Sequence, residues 1–357
     1  MKTELFDYEL REELIASRPP EARDGARMLV LGQGGLAHAS VRELCEFIPE
    51  GSLVVLNETR VRRARLVCRR PAAANGGGGR AELLLLAPWA GNRWRALGRA
   101  NKPIRVGDRL EAPGLLVTIA EREGDGTLRV DLCAPDGVTP LTDSEIEAAL
   151  EQHGEMPIPP YMRRSAETLD VERYQTVFAD KLGSVAAPTA GLHLTKDGLA
   201  RLEERGVRVG RLLLHVGVGT FRPVSADDLD EHDMHAEWIE VNEELCQAVR
   251  DVRARGGKVV AIGTTAVRAL ESAAHPEQVG YLRPFRGETR LLIQPGYRFR
   301  VTDALLTNFH MPRSTLLALV SAFAGRERIL AAYAAAGAEG YRFLSYGDAM
   351  WIPERLS

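Results

Sequence analysis

The texture of the sequence changes twice along the chain, and this change constrains the fold more than any other feature. Residues 1–60 and 142–357 alternate between strand-like and helical segments, whereas Val61 to Leu141 holds short β-rich runs separated by turn clusters. Closely spaced strands without helices are typical of a small antiparallel barrel or sandwich. We therefore predict an α/β fold: a mixed-sheet catalytic domain formed by residues 1–60 and 142–357, interrupted by an inserted small antiparallel β-barrel domain at 61–141.

The individual elements follow from local patterns. A short polar helix is predicted near Tyr8–Ser17, and the NGGGG run at Asn75–Gly79 predicts a hairpin tip. A second helix should begin after Thr195 as its N-cap and end just before Gly206. In the C-terminal part, the predicted strands are VRVGRLLLHV, KVVAIG, TRLLIQP and DALLTNF.

Composition limits the classes of protein that fit. The chain has 357 residues, 45% of them hydrophobic and 27% charged, which is enough for two domains with buried cores. Its net charge of −3 means that any nucleic acid must meet a local basic patch. Four dispersed cysteines without a C-x-x-C pair, a charged N-terminus and the lack of a 20-residue apolar run predict a cytoplasmic protein that does not bind a membrane. No long exposed apolar face is indicated, so we expect a monomer.

Four polar loops are the candidate site. GSVAAPTAGLHLT holds small residues, hydroxyls and His193 directly before a predicted helix. The other three loops contain His215, Gly263–Thr265 with Arg268, and His310 with the candidate N-cap Ser314. Open α/β sheets place ligands beyond the carboxyl ends of their strands, so we expect the four loops to line one pocket. Each capping residue or strand-end histidine taken alone is typical of an ordinary structural residue.

The HDMHAEW motif allows two interpretations. It contains His232 and His235, which have a His-x-x-His spacing, and Glu237. A third metal ligand does not stand at a recognisable spacing, so acid/base work by His235 and Glu237 is favoured over a zinc site. We expect no metal.

The GQGGLA run at Gly32–Ala37 formally matches a dinucleotide-binding fingerprint. The helix that should follow it directly begins late. A hairpin turn is therefore the favoured interpretation.

The segment RVRRARLVCRR carries six arginines between Arg60 and Arg70. A charge run is usually a solvated face, but this one alternates with apolar residues at strand period and lies at the predicted seam between the domains. Contact with nucleic-acid phosphates and a plain surface role are both compatible with the pattern.

Long ordered motifs across nearly the whole chain give a specific resemblance. FDYEL, LNETRVRRARL, GEMPIPPY, GSVAAPTAGLHLT, LHVGVGTFRPV, HDMHAEW, AIGTTAVRALES and TNFHMPRSTLLALV are similar to motifs of the S-adenosylmethionine:tRNA ribosyltransferase-isomerase family. The resemblance implies a queuosine-synthesis step. In it, the ribosyl group of S-adenosylmethionine joins 7-aminomethyl-7-deazaguanine at the tRNA wobble position, giving epoxyqueuosine and releasing adenine and methionine. Ala236 and Ala266 stand where the family usually has serine, so we expect no hydroxyl role there.

This implied reaction suggests roles for the candidate residues. Histidines that titrate near pH 7 would suit the base and the acid, so His193 and His215 are assigned to proton transfer, and His235 with Glu237 to the substrate amine. Methionine carboxylate binding is assigned to Gly263, Thr264, Thr265 and Arg268, and ribose or adenine binding to Ser184 and Thr189. The residues expected to face the tRNA anticodon loop are Asn57, Arg60, Arg62, Arg63 and Arg65, with Phe221 or Tyr346 stacking on the modified base.

Two other functions remain open on sequence grounds. An S-adenosylmethionine-dependent RNA methyltransferase would use the same cosubstrate but release S-adenosylhomocysteine. A non-catalytic tRNA-binding protein would need only the basic run, but it would leave the histidine-bearing loops unexplained.

Overall fold

The structure is a computed structural model that describes residues 1–71, 79–217, 219 and 226–356. Within these ranges the chain forms a nine-stranded mixed sheet, a closed six-stranded antiparallel barrel and a two-stranded sheet. The strands are β1 Arg27–Gly32, β2 Gly35–Ser40, β3 Leu53–Asn57, β4 Thr59–Val61, β5 Arg65–Arg69, β6 Arg80–Ala90, β7 Arg93–Ala100, β8 Arg109–Ala112, β9 Leu115–Arg122, β10 Leu128–Cys133, β11 Lys181–Ser184, β12 Arg208–Leu214, β13 Glu237–Val241, β14 Val259–Ile262, β15 Phe285–Thr289, β16 Ala304–Asn308 and β17 Ala349–Ile352. The helices are α1 Leu44–Phe47, α2 Asp143–His153, α3 Thr168–Arg173, α4 Lys196–Glu204, α5 Glu243–Ala254, α6 Thr264–Ser272, α7 Thr315–Ala324 and α8 Arg326–Ala338. The predicted fold class is confirmed.

The large sheet has the order β15-β13-β12-β3-β14-β16-β17-β1-β2. Its centre, β12-β3-β14-β16, is parallel, so the carboxyl ends of these four strands meet at one edge. Strand β13 runs antiparallel to β12, which brings its first residue, Glu237, to the same edge. We call this line of strand ends the site edge.

Side chains alternate between the two faces of the sheet and build two cores. Val55 packs with residues of α5, α6 and α7 on one face. Val54 and Leu56 pack with residues of α1 and α4 on the other. The central strands are buried on both faces, which explains why they read as continuous apolar runs.

The closed barrel has the order β10-β7-β6-β5-β8-β9 and its own apolar core. Ile146 and Leu150 of α2 pack into that core, so this helix is attached to the barrel although it follows residue 141. The domain boundaries at residues 61 and 141 stay a prediction. Most of the predicted NGGGG hairpin tip, residues 75–78, lies outside the described residues; β5 and β6 on either side pair in antiparallel fashion.

Two elements with strong local signals are confirmed. Helix α4 begins with the Thr195 hydroxyl accepting a hydrogen bond from Gly198 N at 2.9 Å, and Gly206 just beyond its end has φ +75°. The GQGGLA run forms a hairpin, because β1 and β2 are antiparallel neighbours with Gly32 opposite Gly35. It is therefore not a dinucleotide-binding turn.

Two predicted elements are wrong. The segment near Tyr8–Ser17 contains only a 3-10 turn at Glu12–Leu14, because its backbone bonds to another part of the chain: Leu14 O accepts from Phe343 N at 2.7 Å. The strand predicted at TRLLIQP instead lies earlier, as β15, which pairs with β13 and stops where β13 begins.

Candidate active site

The site edge gathers polar groups from loops that are far apart in sequence. The first is His193, which lies in a 3-10 turn at Thr189–His193 and is 3% exposed. Its Nε2 accepts a hydrogen bond from Asn308 Nδ2 at 3.1 Å, at the carboxyl end of β16. An amide nitrogen can only donate, so this contact places the proton of a neutral His193 ring on Nδ1.

The pKa of His193 is lowered to about 4, chiefly by burial and further by the charges of Arg342 and Arg23. The expectation of a histidine that titrates near pH 7 is therefore wrong for this side chain. The ring is therefore neutral at pH 7, and its one lone pair, at Nε2, receives the Asn308 amide.

Asn308 was not singled out from the sequence. It is 2% exposed, and its Nδ2 also donates to Leu344 O at 3.0 Å. Its Oδ1 has no hydrogen-bond partner among the described residues. The available signal was its position at the end of a buried strand, directly before the loop that carries His310.

His215 follows β12 and reaches a second part of the site edge. Its Nδ1 lies 2.8 Å from the hydroxyl of buried Thr59. The ring packs on Gly183, where an added Cβ would come within 2.5 Å of it, so a side chain at this position would displace the ring. Burial, with Arg62 and Lys181 nearby, lowers the pKa of His215 to about 4, and this ring too is neutral at pH 7.

Glu237 and Arg268 form a buried ion pair at the start of β13 and inside α6. Both are 7% exposed, and Arg268 Nη1 donates to Glu237 Oε2. Gly217 N donates to the other carboxylate oxygen at 3.1 Å, and Arg268 Nε donates to Leu291 O at 3.2 Å. Arg268 Nη2 has no partner among the described residues, so one face of this guanidinium can still take an anion.

The N-terminus of α6 faces the turn that carries His193. Gly263, its N-cap, has φ +91° and provides no side-chain cap. Gly263 also lies close to Ala190, since an added Cβ would be 3.4 Å from Ala190 Cβ. Thr264 is buried, and Thr265 Oγ1 has no partner in the described part of the chain. Thr189 is half-buried in the facing turn. An uncapped helix start of this kind favours anions.

Ser184, which is predicted to bind ribose or adenine, is buried and hydrogen-bonded within the protein. It is 0% exposed, its hydroxyl donates to Ala186 O at 2.7 Å and accepts from Val216 N at 2.9 Å. These bonds join the end of β11 to the segment after β12, so Ser184 supports the His215 loop from within.

His235 is half-buried and lies over Gly219, where an added Cβ would be 3.3 Å from its Cδ2. His235 and Glu237 are only two positions apart in the sequence, but the Glu237 carboxylate binds Arg268. No cluster of three or more His, Cys, Asp or Glu side chains placed to hold a metal ion occurs among the described residues, His232 included.

The predicted tRNA-facing arginines are largely engaged within the protein. Arg62 is 7% exposed and binds Glu147 of α2, with Nη2 2.6 Å from Oε1. Arg63 Nε donates to Gly154 O and Arg65 Nη2 to Ile158 O, both at 2.8 Å. These contacts hold the barrel against the segment that follows α2, which is a structural use of the basic run.

Of the other two predicted tRNA-binding residues, Arg60 is exposed and Asn57 is buried. The Arg60 side chain is 46% exposed and pairs with Glu151 at 3.4 Å, so it remains available to a phosphate. Asn57 is 1% exposed, and its side chain bonds to both N and O of Leu214 at 2.9 Å, which joins the ends of β3 and β12. This placement leaves Asn57 no surface for tRNA.

Of the two residues predicted to stack on the modified base, only Tyr346 lies among the described residues. Tyr346 is 2% exposed and its hydroxyl donates to Asp170 Oδ1 at 2.8 Å, so its ring is enclosed. Phe221 lies outside the described residues.

Among the helices described, none has the length and apolar character to cross a bilayer.

Comparisons with known proteins show the family of the chain. The family described as queuosine biosynthesis protein matches residues 3–352. Proteins named S-adenosylmethionine:tRNA ribosyltransferase-isomerase from Sorangium cellulosum and Anaeromyxobacter dehalogenans are 52% and 48% identical to the chain, cover 99% of it, and are themselves covered over 98% and 100%. The crystal structure of S-adenosylmethionine tRNA ribosyltransferase from Thermotoga maritima is 32% identical, with a TM-score of 0.54 over 98% of this chain and 99% of that one. The chain therefore belongs to the queuosine biosynthesis protein family, among the S-adenosylmethionine:tRNA ribosyltransferase-isomerases.

Proposed function

We propose that this enzyme transfers and isomerises the ribosyl group of S-adenosylmethionine onto 7-aminomethyl-7-deazaguanine at the tRNA wobble position. The products are epoxyqueuosine-tRNA, adenine and methionine. Relatives that match nearly the whole chain carry the name of this ribosyl transfer. The observation that carries the proposal is the site edge, where two neutral imidazoles, a buried ion pair and an uncapped helix start converge.

The first chemical demand is a base for the ribose carbon next to the sulfonium, whose positive charge acidifies it. His193 and His215 are both neutral at pH 7 and are the candidate acceptors, but His193 Nε2 can take the proton only when its hydrogen bond from the Asn308 amide is broken. A pKa of about 4 leaves about one ring in a thousand protonated at pH 7, which is too few for a histidine that begins as the acid. The imidazolium formed by the first step is therefore the proton donor for the departing adenine.

The second demand is to hold the methionine part of the cosubstrate. Arg268 offers Nη2, which has no partner in the described chain, and Glu237 keeps the guanidinium in place through Nη1. The start of α6 at Gly263–Thr265 adds a favourable dipole for the same carboxylate. Glu237 then orients Arg268, and His235 is the group that keeps the attacking amine neutral.

The tRNA reaches this site across the surface beside Arg60, whose exposed guanidinium contacts a phosphate. Thr189 remains a candidate contact to the ribose. A tRNA substrate supports a cytoplasmic location. The monomeric state stays a prediction.

Product analysis by mass spectrometry tests the proposal. The enzyme is incubated with S-adenosylmethionine and tRNA that carries the aminomethyl-deazaguanine, in parallel with tRNA that carries guanine. We expect adenine and methionine in the first reaction alone. Release of S-adenosylhomocysteine would instead identify a methyltransferase, and tight binding without turnover would identify a tRNA-binding protein.

A further inference from the structure

Trp238 is a large aromatic residue that is exposed next to the site edge. It is 40% exposed, whereas Trp94 and Trp351 are each 1% exposed. It follows Glu237, the buried first residue of β13. Successive side chains of a strand point to opposite faces of the sheet, so Trp238 points away from α6 and the ion pair.

Trp238 is the direct cross-strand neighbour of His215. The pairing of β12 with β13 places Leu213 opposite Glu240 and Leu214 opposite Ile239, and His215 N continues it by donating to Trp238 O at 2.9 Å. Facing residues of an antiparallel pair have Cβ atoms about 4.5–5.5 Å apart. The exposed indole therefore lies beside one of the two proposed proton acceptors.

The surface around Trp238 carries several charged side chains, with an exposed arginine next to the ring. Arg286 of β15 is 74% exposed in its side chain, and its Cζ lies 5.9 Å from the Trp238 ring centroid. Three cations share two carboxylates on this face, with the ion pairs Lys181–Glu58, Lys181–Glu240, Arg211–Glu58 and Arg286–Glu240. Exposed Glu288 stands directly opposite Trp238 on β15 and balances the third cation, so Arg286 next to the ring, and not a net positive charge, is what this face offers to RNA.

We propose that Trp238, with Arg286 beside it, stacks on a base of the tRNA anticodon loop that adjoins the reacting nucleoside. This inference rests on the proposed function. Single-stranded bases stack on exposed aromatic rings, and an adjacent arginine adds contact to the backbone or the base. The indole lies on the open surface beside cations rather than among the enclosed loops at His193, which favours an RNA base over the adenine of the cosubstrate.

Binding of an anticodon stem-loop RNA tests the proposal with three variants: Trp238→Ala, Trp238→Phe and Trp89→Ala. Trp89, on β6 of the barrel, is a matched control, since it is 52% exposed and Arg129 Cζ lies 4.1 Å from its ring centroid. Loss of one stacked base should weaken binding of the Trp238→Ala protein on the order of 5- to 150-fold. Phenylalanine should restore most of the affinity, and the Trp89→Ala protein should bind as the wild type does. Equal losses from both alanine variants, or none from Trp238→Ala, would overturn the proposal.

Tryptophan fluorescence tests whether Trp238 stacks on an RNA base or on the adenine of the cosubstrate. The stem-loop RNA should quench emission of the wild type and of Trp89→Phe, but quench Trp238→Phe much less, since Trp94 and Trp351 are buried. S-adenosylmethionine alone should leave the emission unchanged; quenching by it would assign Trp238 to adenine and refute the RNA role. Binding does not require turnover, so a stem-loop with guanine at the wobble position separates failure of this inference from failure of the proposed reaction.

Discussion

Lowering the pH from 7 to 5 should destabilise the folded enzyme, with His193 accounting for about 2 kcal/mol of the loss. Burial, with Arg342 and Arg23 nearby, lowers the pKa of this ring to about 4, against 6.5 for an unperturbed histidine. Between these values the unfolded chain binds a proton that the folded protein does not. The stability due to the neutral ring is therefore present above pH 6.5 and is lost as the pH falls toward 4.

The magnitude follows from the two pKa values. They differ by about 2.5, and one pKa unit corresponds to about 1.4 kcal/mol, so complete protonation costs about 3 kcal/mol. At pH 5 the unfolded ring is almost fully protonated and the folded ring about one-tenth protonated, which gives about 2 kcal/mol.

Urea unfolding at pH 7 and pH 5 measures this contribution in the wild type, in His193→Asn and in His153→Asn. The His193→Asn protein should lose about 2 kcal/mol less between the two pH values, because His215 and His310, whose pKa values are also lowered by burial, are unchanged in all three proteins. His153 is exposed on α2, so its variant should follow the wild type. Equal pH sensitivity of His193→Asn and wild type would refute the buried, neutral ring.

Three further substitutions test the supports of the site edge. Thr59→Val removes the hydroxyl beside His215 Nδ1; kcat should fall about tenfold with a displaced pH profile and an unchanged KM. Ser184→Ala leaves Val216 N without its acceptor and should cost about 1–3 kcal/mol in urea unfolding, while the KM for S-adenosylmethionine stays constant. Glu237→Gln should cost about 3–5 kcal/mol by stranding the buried Arg268 charge, and adding Arg268→Met should restore stability.

The parts of the fold that were predicted correctly have local causes. The Thr195 cap and the Gly206 end of α4 depend on residues within one helix, and the Gly32–Gly35 hairpin depends on a short turn. The helix–strand alternation outside residues 61–141 and the short strands of the barrel are also present in the structure. Both were predictable because the hydrophobic periodicity of a segment indicates which face it buries.

The wrong elements and the missed contacts have distant causes. The N-terminal segment is not helical because its backbone forms hydrogen bonds with Phe343. Strand β15 lies earlier than predicted because its position is set by pairing with β13. Asn308 is part of the site because its side chain donates a hydrogen bond to His193, which is 115 positions away in the sequence. Arg62 is buried because α2 brings Glu147 to it. A single sequence contains no periodicity that encodes such pairs, so side-chain roles were less predictable than strands.

The charges of the site explain why the loop from Gly183 to Thr195 is so poor in charged residues. A sulfonium cosubstrate brings its own positive charge, and an imidazolium beside it would be repelled, whereas a neutral imidazole can approach and accept the acidified proton. Burial keeps both histidines neutral, and in the proposed reaction Arg268, held in place by Glu237, binds the carboxylate of the cosubstrate. In the proposed reaction, a neutral base near the sulfonium and a cation near the carboxylate would together match the charges of the donor.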